Sequence, residues 1–517
     1  MPDPFYLTTA INYPNGKPHI GHAYEAIAAD VIARFQRWMG RKVRFQTGTD
    51  EHGLKMARKA AEQGRTPREL ADEMASYFRA MDEVLNISFD RFIRTVEPEH
   101  HRASQALWQA MEAAGDLYLD RYEGWYSVRD EAYYDESELA GEGDEKLSPQ
   151  GTPVEWTVEE SWFFRLSKYQ DRLLDLLRTP GFCEPESRRN EMIAFVSGGL
   201  KDLSVSRTSF DWGVKVPGSE GHVMYVWVDA LTNYITGLGY PDDTEEWRRF
   251  WPASLHLVGK DIVRFHTVYW PAFLMSAGLP LPRTVFGHGF ILNRGQKESK
   301  SLGNVTDPLE LAERFGVDNL RYFLMREVAF GQDGSYSAEA IVNRCNAELA
   351  NSFGNLVQRT LSMIVKNMNG DLERFEQTPA DHELLKQVRK ACAVDLPREF
   401  EALAFSQGLE TWIQAVWACN RYVDDQAPWT LKKTDPDRMK AVLQTLLLAI
   451  HDLALALQPV VPEKAAAVLD MLGVDGDTRS HADFERDWFA ALVDAGHTIA
   501  APSPIFPRLE LPEAESV

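Results

Sequence analysis

Two short motifs carry side chains suited to binding a phosphorylated nucleotide. The first, His19-Ile20-Gly21-His22, lies where a turn-rich loop meets a helix. A helix N-terminus offers unpaired N–H groups and the positive end of the helix dipole, so it favours phosphate. Gly21 lets a nucleotide approach the backbone closely, and two imidazoles one turn apart can donate hydrogen bonds to phosphate oxygens. Alone, the motif is equally compatible with a helix start that happens to hold two histidines.

The second motif, Lys297-Glu298-Ser299-Lys300-Ser301, is flanked by Gly295 and by Gly303-Asn304, which predicts a loop that can move. Two ammonium groups on a mobile loop can close over a triphosphate and stabilise the charge that develops on leaving pyrophosphate. For this pentapeptide alone, a solvated charged loop is the simpler interpretation. The two motifs together favour the nucleotide function.

The elements that must position the first motif alternate between strand and helix. Strands are predicted over residues 5–11 and 42–47, and the helix between them ends at Gly40. A strand, a crossover helix and a second strand imply a parallel sheet that binds ligands at its carboxyl ends. The apolar stripe of the helix consists of Ala23, Ile27, Val31 and Phe35.

The rest of the chain changes character twice. Residues 116–222 are rich in aromatic and acidic side chains and are predicted to form an insertion, after which strand-like and loop signals resume at residues 224–229 and 255–259. From Ser337 onward the pattern is helical. Ser337 can cap a long helix that ends at Asn369-Gly370, and further helices are predicted over residues 405–420 and 439–457. The apolar stripe of the long helix is Ile341, Cys345, Leu349, Phe353, Val357 and Ile364.

Composition limits the possible classes of protein. A length of 517 residues suggests two to four domains, and neither a signal peptide nor an uninterrupted apolar stretch of membrane-spanning length is visible. The four cysteines form no CxxC pair, so a reducing, cytoplasmic setting without a disulfide framework or cysteine zinc site is predicted. The net charge of -22 argues against nucleic-acid binding, although a local basic surface is sufficient for such binding. The cysteines are Cys183, Cys345, Cys392 and Cys419.

The two motifs, in this order and with an insertion between them, resemble the class I aminoacyl-tRNA synthetases. That family carries HIGH early and KMSKS late in a split Rossmann fold, and here they read HIGH at residues 19–22 and KESKS at residues 297–301. Glu298 replaces the usual Met, a change that leaves both lysines and both serines in place. The resemblance implies an α/β fold, with a Rossmann-type parallel sheet split by the insertion and followed by an all-α anticodon-binding helix bundle.

Further segments resemble the methionyl-tRNA synthetase family along nearly the whole chain. The resemblance implies that ATP, with Mg²⁺, activates L-methionine to methionyl-adenylate, and that methionine then passes to the 3′ end of tRNA(Met). The segments are residues 10–13 (AINY), 48–53 (GTDEHG), 225–230 (YVWVDA), 259–262 (GKDI), 265–266 (FH) and 270–271 (WP).

The same resemblance implies roles for individual residues. Asp50 would hold the substrate ammonium by a charge-assisted hydrogen bond. The thioether of a methionine substrate is polarizable and packs well against aromatic edges, so tyrosine and tryptophan suit its pocket. Gly259 and Asp261 would lie under the ATP ribose, and Ile291 would meet the adenine. The side-chain pocket would be lined by Ile11, Tyr13, Trp227, Ala230, Tyr234, Ile262 and His266. The catalytic phosphate contacts would come from His19, His22, Lys297 and Lys300, and Gly21 and Ser299 would complete the ATP site.

Two further expectations concern the insertion and the helical region. Where the family often carries cysteine knuckles for zinc, this chain has Ser127 and Asp130 with no histidine nearby, so a zinc-free insertion held by its aromatics is predicted. Asn355, Arg359 and Trp429 match the anticodon-reading positions of the family, and helical geometry places Asn355 and Arg359 away from the bundle core. A monomer without a membrane partner is expected.

The resemblance and the shifts in composition divide the chain into six predicted parts. These are the first half of the Rossmann catalytic domain (1–115), the connective insertion without zinc (116–222), the second half of the catalytic domain (223–280), the stem-contact region with the KMSKS loop (281–336), the α-helical anticodon-binding domain (337–511) and a disordered tail (512–517).

Three alternatives remain at the level of sequence. A class I synthetase for leucine, isoleucine, valine or cysteine is disfavoured by the short insertion and by the lack of a visible zinc site. A small-molecule nucleotidyltransferase is disfavoured by the helical C-terminal third. A catalytically inactive RNA-binding paralogue is disfavoured by the intact HIGH motif and both loop lysines.

Overall fold

The computed structural model describes residues 3–14, 16–129, 132–141, 146–295 and 306–511. The predictions for the KESKS loop and for the tail at residues 512–517 therefore lie outside the described residues, as does Asp130 of the insertion. The strands are β1 (Phe5–Thr9), β2 (Val43–Thr49), β3 (Arg91–Arg94), β4 (Leu117–Ser127), β5 (Ala132–Tyr134), β6 (Glu155–Phe164), β7 (Cys183–Glu184), β8 (Leu203–Ser204), β9 (Ser206–Arg207), β10 (Val223–Met224), β11 (Leu255–Gly259), β12 (Val285–His288), β13 (Ile291–Asn293) and β14 (Gly334–Tyr336).

The helices follow the strands of the first part and then dominate the last third. Three π-helical stretches, Phe265–Tyr269, Cys345–Gly354 and Ala391–Asp395, interrupt or extend them. The α-helices are α1 (Ile20–Trp38), α2 (Leu54–Glu62), α3 (Pro67–Val84), α4 (Pro98–Ala113), α5 (Gln170–Arg178), α6 (Glu186–Ser197), α7 (Val226–Thr236), α8 (Glu245–Phe250), α9 (Trp270–Ser276), α10 (Pro308–Phe315), α11 (Val317–Glu327), α12 (Ala338–Arg344), α13 (Asn355–Met368), α14 (Pro379–Lys390), α15 (Leu396–Glu401), α16 (Phe405–Gln426), α17 (Pro428–Thr434), α18 (Pro436–Leu457), α19 (Pro462–Met471) and α20 (Trp488–Asp494).

The central sheet is parallel throughout, in the order β3-β2-β1-β11-β12-β7. Leu7 of β1 lies opposite Phe45 of β2 on one side and Leu255 of β11 on the other. The chain therefore reverses its direction of travel across the sheet at β1, and ligands bind at the carboxyl ends of the strands at such a point. The predicted α/β class with a parallel sheet is confirmed.

The edge strand β7 departs from the sequence-based division. Cys183–Glu184 pairs with β12, so part of the segment predicted as an insertion belongs to the central sheet. A two-residue strand has no periodicity to reveal it, and only its pairing with Val285 and Phe286 defines it.

Helix α1 crosses between the sheet and the helical region and is buried on most of its surface. His19 caps it, and the four apolar residues of the predicted stripe are at most 1% exposed. The stripe and the crossover predicted from the sequence are confirmed. The N-terminal end of α1 is thereby aimed at the carboxyl ends of the strands.

Residues 224–229 give strand-like and loop signals in the sequence, and the strand-like interpretation is wrong for most of them. Only Val223–Met224 pairs as strand, and α7 begins at Val226. Short apolar runs with β-branched residues fit a strand or a buried helix equally well by pattern. Burial decides here, because Val226, Val228 and Leu231 all pack into the core as a helix.

The middle of the chain forms a second, antiparallel sheet in the order β5-β4-β6-β8. Arg207 packs against β5 of this sheet. It is buried, and its guanidinium lies 4.2 Å from the Tyr133 ring centroid and 4.5 Å from that of Tyr225. Such cation–π contacts strengthen when water is excluded. The contact with Tyr225 also ties this sheet to the start of α7.

The helix predicted from Ser337 is present, and Ser337 Oγ accepts the Ala340 N–H at 3.1 Å. All six stripe residues are at most 1% exposed, and Asn369, in the left-handed region at φ 54°, ends the helix. The stretch Cys345–Gly354 is π-helical. A π-helix winds more slowly than an α-helix, so side chains spaced four apart stay in line on the core side.

One described helix, α18, is long and apolar enough to cross a membrane by length and hydropathy, and 83% of its apolar window is buried inside the protein. Gln444, His451 and Asp452 interrupt its apolar run. An apolar helix that is covered on most sides is typical of the centre of a bundle.

A buried ion pair joins α1 to the bundle. Arg321 of α11 is fully buried, and its guanidinium donates to the Asp30 carboxylate of α1 at 2.6 Å and to the Val460 carbonyl at 2.8 Å. Burial acts to raise the pKa of Asp30, but Arg321 and Arg34 outweigh it and hold that pKa below its usual value. The helix that carries the first motif is thus tied by charge to the helical region.

Candidate functional site

A cavity of about 480 Å³ opens where the carboxyl ends of β1, β2, β11 and β12 meet the start of α1. Every described residue predicted for ATP or methionine lines this one cavity. On the nucleotide side these are His19, Gly21, His22, Gly259, Asp261 and Ile291, and on the amino-acid side they are Ile11, Tyr13, Asp50, Trp227, Ala230, Tyr234, Ile262 and His266. Their individual roles stay predictions.

The two histidines of the first motif are oriented by the backbone of α1. His19 Nδ1 accepts the Gly21 N–H at 3.0 Å, and His22 Nδ1 accepts the His19 N–H at 3.1 Å. A nitrogen that accepts from a backbone amide carries no proton, so in each neutral ring the proton sits on Nε2. The ring centroids lie 3.8 Å apart. Both rings line the cavity, so the two neutral histidines each place an Nε2–H donor group at its wall.

Gly21 is required first by its neighbour in the motif. A Cβ at this position would lie 2.9 Å from His19 Cε1, closer than side-chain carbons approach. Any larger residue would push the His19 ring from its capping position. Gly21 therefore has a structural role, which is to leave room for the His19 ring, in addition to its predicted role in letting a nucleotide approach the backbone.

Tyr234 and His266, on the amino-acid side of the cavity, form a hydrogen-bonded chain that carries no net charge. His266 Nδ1 donates to the Ile262 carbonyl at 2.9 Å, so His266 Nε2 accepts the Tyr234 hydroxyl at 2.6 Å. Burial lowers the pKa of His266 to about 4, so the ring is neutral near pH 7. Burial also raises the pKa of Tyr234 well above its usual value.

Aromatic stacking sets the opposite wall. Trp227 of α7 stacks on Phe265 with ring centroids 3.8 Å apart and planes at 5°, and it meets His266 edge-on at 6.1 Å. Phe265 also lines the cavity, although it was noted only as part of a motif. Its stacking on Trp227 depends on a helix that sequence patterns alone did not reveal.

Asp50 is the carboxylate predicted on the amino-acid side of the cavity. It follows β2 directly, its backbone N–H donates to the Asn12 carbonyl at 2.9 Å, and it is 8% exposed. The bridge between Asn12 and Thr49 extends the β1–β2 pairing to this point, so Asp50 lies beside Ile11 in the cavity lining. The placement at a strand carboxyl end agrees with the prediction.

Two segments noted from the sequence are joined by a buried network below the cavity. Asp229 of α7 accepts from His52 Nδ1 and from His100 Nε2, both at 2.6 Å. Burial acts to raise the pKa of Asp229, but the two histidines outweigh it and hold that pKa below its usual range. The network fixes α7, and with it Trp227, against the loop that carries Asp50.

Sequence reasoning missed the pair Glu25 and His288 on the nucleotide side. Glu25 Oε2 lies 2.8 Å from His288 Nε2, and His288 Nδ1 donates to the Gly289 carbonyl at 2.9 Å. With Nδ1 protonated, either His288 is charged and Glu25 ionised, or both are neutral, so the pair has no net charge. Glu25 lies one helical turn after His22, and that spacing was the only signal in the sequence.

Burial raises the pKa of Glu25, which the hydrogen bond from His288 partly offsets. Burial acts to lower the pKa of His288, but Glu25 outweighs it and raises that pKa above its usual value. Asp261, which lines the same cavity, adds to both effects. The nucleotide side therefore contains this polar pair, whereas the part of the amino-acid side around Tyr234 and His266 is neutral and aromatic.

The three predicted RNA-facing residues lie together on the bundle surface. Trp429 is 47% exposed, and the Arg359 guanidinium lies 5.5 Å from its ring centroid. Arg359 also lies 3.8 Å from Asp424, and Asn355, one turn earlier, is exposed. The structure brings these residues together on one surface, whose role in reading RNA stays a prediction.

Hydroxyl groups lie where the family often carries its zinc-binding cysteines. Ser127 Oγ lies 2.7 Å from Thr152 Oγ1, which lies 2.8 Å from Ser148 Oγ, and all three residues are buried. Hydroxyls are poor zinc ligands beside thiolates and imidazoles, so this donor set does not fit the ion. Within the described ranges no three His, Cys, Asp or Glu side chains converge as a metal site would require.

Family models match the chain in two regions. The model described as tRNA synthetases class I (M) matches residues 5–148 and 144–361, and the model described as anticodon binding domain of methionyl tRNA ligase matches residues 373–516. The chain is similar to the methionine–tRNA ligase of Brucella suis biovar 1, with 58% identity over 509 residues and 98% of each chain covered. Similarity to that of Mycobacterium tuberculosis H37Rv is 53% over 525 residues, with 99% of each covered.

Solved structures agree with the sequence relatives. The methionyl-tRNA synthetase of Mycobacterium tuberculosis bound by methionyl-adenylate superposes with a TM-score of 0.93 at 52% identity, covering 98% of this chain and 100% of that one. The free-state structure of the same protein gives a TM-score of 0.87 at 50% identity, covering 99% of each chain.

Proposed function

This chain belongs to the methionyl-tRNA synthetase family of class I synthetases and is a methionine–tRNA ligase. We propose which of its residues bind methionine and which bind ATP. The observation that carries the proposal is the single cavity that joins the capped histidines of α1 to the aromatic chamber around Tyr234 and His266. A structural relative holds methionyl-adenylate, a molecule with one end suited to each half of such a cavity.

We propose that the chamber selects methionine by offering polarizable walls and no unsatisfied charge. The hydroxyl of Tyr234 and both nitrogens of His266 are already committed to each other and to Ile262. A thioether packs against such aromatic groups and competes for none of their hydrogen bonds. The Asp50 carboxylate, on the amino-acid side of the cavity, would pair with the substrate ammonium and orient its carboxylate toward ATP.

On the nucleotide side, His19 and His22 would donate through Nε2 to the phosphates, and Mg²⁺ would arrive with ATP as part of the substrate. Gly259 and Asp261, at the end of β11, would lie under the ribose, and Ile291 would meet the adenine. Because the Glu25–His288 pair carries no net charge, it offers polar atoms there without repelling the phosphates.

The reaction then needs two displacements at one site. A methionine carboxylate oxygen bonds to the α-phosphorus of ATP as the bond to the β-phosphate oxygen breaks and pyrophosphate leaves. A terminal ribose hydroxyl of tRNA next attacks the carbonyl carbon, gives up its proton, and AMP leaves with the bridging oxygen. The protein forms no bond itself, so orientation and charge stabilisation supply the acceleration.

The test of the whole proposal is pyrophosphate exchange with each of the twenty amino acids, followed by charging of tRNA. We expect methionine to be far the best substrate and AMP release to require tRNA(Met). Exchange with leucine, isoleucine, valine or cysteine as the best substrate would refute the methionine assignment. Adenylate formation without transfer to tRNA would indicate a small-molecule nucleotidyltransferase instead.

We propose that Lys297 and Lys300 complete the phosphate site. Ile291 lines the cavity and begins β13, and the described chain turns at Gly295, two residues before Lys297. Replacing Lys300 with alanine is expected to slow methionine-dependent exchange about 10- to 100-fold, because Lys297 retains one ammonium. The KM for methionine should change little. A normal exchange rate in this variant would contradict the role.

We propose that Asn355, Arg359 and Trp429 read the anticodon of tRNA(Met). Replacing Trp429 with alanine is expected to lower kcat/KM for tRNA charging about 5- to 100-fold, since a stacked base loses its platform. Methionine-dependent exchange, which needs no tRNA, should stay near the wild-type rate. Equal loss of both activities in a variant that melts at the wild-type temperature would refute the assignment.

We propose that the insertion folds without zinc, supported by the hydroxyl cluster around Thr152 and by Arg207 among tyrosine rings. Purified protein is expected to contain far less than one equivalent of zinc, and dialysis against a chelator should leave its melting temperature and exchange rate unchanged. Stoichiometric zinc, or unfolding in the chelator, would overturn this proposal.

The remaining proposals concern the organisation of the chain. We propose a cytoplasmic monomer divided at the boundaries predicted from the sequence, with β7 assigned to the catalytic sheet instead of the insertion. A sedimentation coefficient above that of one 58.7 kDa chain would argue against the monomer.

A further inference from the structure

A second exposed tryptophan lies on the same side of the bundle as the predicted anticodon-reading residues. Among the described tryptophans, only Trp156, Trp417 and Trp429 count as exposed, and the latter two belong to the bundle. Trp417, on α16, is 39% exposed, whereas Trp412 of the same helix is fully buried. Packing in the core therefore explains why a tryptophan stands at Trp412, but it does not explain the tryptophan at Trp417.

Hydrogen bonds place Trp417 next to the predicted anticodon-reading surface. Its Nε1 donates to Ser352 Oγ at 3.2 Å, and Asn420 Nδ2 donates to the Ser352 carbonyl at 3.3 Å. Ser352 lies about one helical turn before Asn355, and Arg359 lies one turn beyond, against Trp429. The two indoles therefore flank a continuous polar strip about two turns, or roughly 10 Å, long.

The orientation of Trp417 suits a stacking partner. Its only polar side-chain atom is bonded to Ser352 and the residue is 39% exposed, so the side-chain surface that water reaches consists of indole carbon. The indole is also held in place, so stacking a base on it costs little additional side-chain entropy. Every base has a π face that can use such a platform.

A guanidinium accompanies this indole. Arg421 is four residues after Trp417, on the same face of α16, and it is exposed. In the described part of the chain no carboxylate oxygen lies within 4.0 Å of it, unlike Arg359, which faces Asp424. An indole with an adjacent unpaired cation provides a stacking platform and a phosphate contact together. That combination is notable on a protein with a net charge of -22.

We infer that Trp417 and Arg421 form a second contact with the anticodon loop, in which Trp417 stacks one unpaired base and Arg421 binds a neighbouring phosphate. The inference rests on the proposed binding of tRNA through the bundle. It extends the reading surface from one indole to two, at opposite ends of the strip that contains Asn355 and Arg359.

The test is a double-mutant cycle between protein side chains and tRNA bases. Each anticodon-loop nucleotide of tRNA(Met) is made abasic in turn, and dissociation constants are measured for wild type, Trp417→Ala, Trp417→Phe and Trp429→Ala. We expect Trp417→Ala to weaken binding about 5- to 100-fold and to remove the effect of one particular abasic position. Trp417→Phe, which keeps a ring, should retain most of the affinity.

Arg421→Gln supplies an independent readout. Losing one phosphate contact should lower the slope of log affinity against log salt concentration by roughly one, whereas Trp417→Ala should leave that slope unchanged. Matched controls are Trp156→Ala and Arg172→Gln on the insertion, which should couple to no anticodon-loop nucleotide. These two control variants should also keep wild-type methionine-dependent exchange.

The outcomes distinguish the contact through Trp417 and Arg421 from the anticodon surface proposed around Trp429. If Trp429 couples to a loop base and Trp417 couples to none, the inference is overturned and the proposed anticodon surface stands. If neither indole couples and abasic loops bind normally, the anticodon function of the bundle fails as well, and the inference with it.

Discussion

Replacing Asp50 with asparagine is expected to lower kcat/KM for methionine in pyrophosphate exchange about 100- to 1,000-fold. The carboxylate lies at the end of β2 and is almost fully buried, so a substrate ammonium placed there would lose its counter-charge in a site with little water. Leaving one charge of such a pair unpaired costs roughly 3–4 kcal/mol. Steady-state exchange with methionine as the varied substrate measures the effect.

The control for this variant is its behaviour toward ATP. Because Asp50 belongs to the amino-acid side, KM for ATP should stay within about threefold of wild type at saturating methionine. Asp120, an exposed aspartate on the insertion, provides the matched substitution, and Asp120→Asn should be silent. Wild-type kcat/KM for methionine in Asp50→Asn would mean that another group holds the ammonium.

Replacing His19 with asparagine is expected to lower kcat for adenylate formation about 100- to 1,000-fold. Asparagine is a good N-cap residue and can accept the Gly21 N–H as His19 Nδ1 does, so α1 should begin normally. It cannot reproduce the Nε2–H of the capped ring, which lines the cavity. Removing one preorganised donor to a developing negative charge costs this much in other enzymes.

Glutamine at the same position provides the complementary control. Its side-chain N–H groups reach about as far as imidazole Nε2–H, while its fit as a helix cap is poorer. His19→Gln is therefore expected to be less stable than His19→Asn and yet more active in single-turnover adenylate formation. The reverse order of activities would show that capping, and not hydrogen-bond donation, is the contribution of His19.

Both predictions depend on networks outside the cavity. The bonds from His52 and His100 to Asp229 hold α7 against the Asp50 loop, and Arg321 holds α1 against the bundle through Asp30. The two halves of the cavity are thus positioned by separate buried ionic groups. Loss of either network should lower stability as well as activity, unlike Asp50→Asn and His19→Asn.

Features that depend on near neighbours in the chain could be predicted from the sequence. A histidine motif at a helix start, a carboxylate directly after a strand and a serine before an apolar stripe each depend on neighbours within about one helical turn. For these residues the expected element formed in the right place, as at His19, Asp50 and Ser337. The parallel sheet followed because a strand, helix and strand in sequence have few alternative arrangements.

Contacts between distant segments were decided only by the tertiary structure. Glu25 meets His288 across 263 positions, β7 joins the sheet through two residues, and a helix begins at Val226 within the strand-like segment 224–229. None of these leaves a period in the sequence, because each depends on which surfaces meet when the core packs. The sequence by itself determined which residues could do the chemistry, and long-range packing decided which of them share a cavity and in which protonation state.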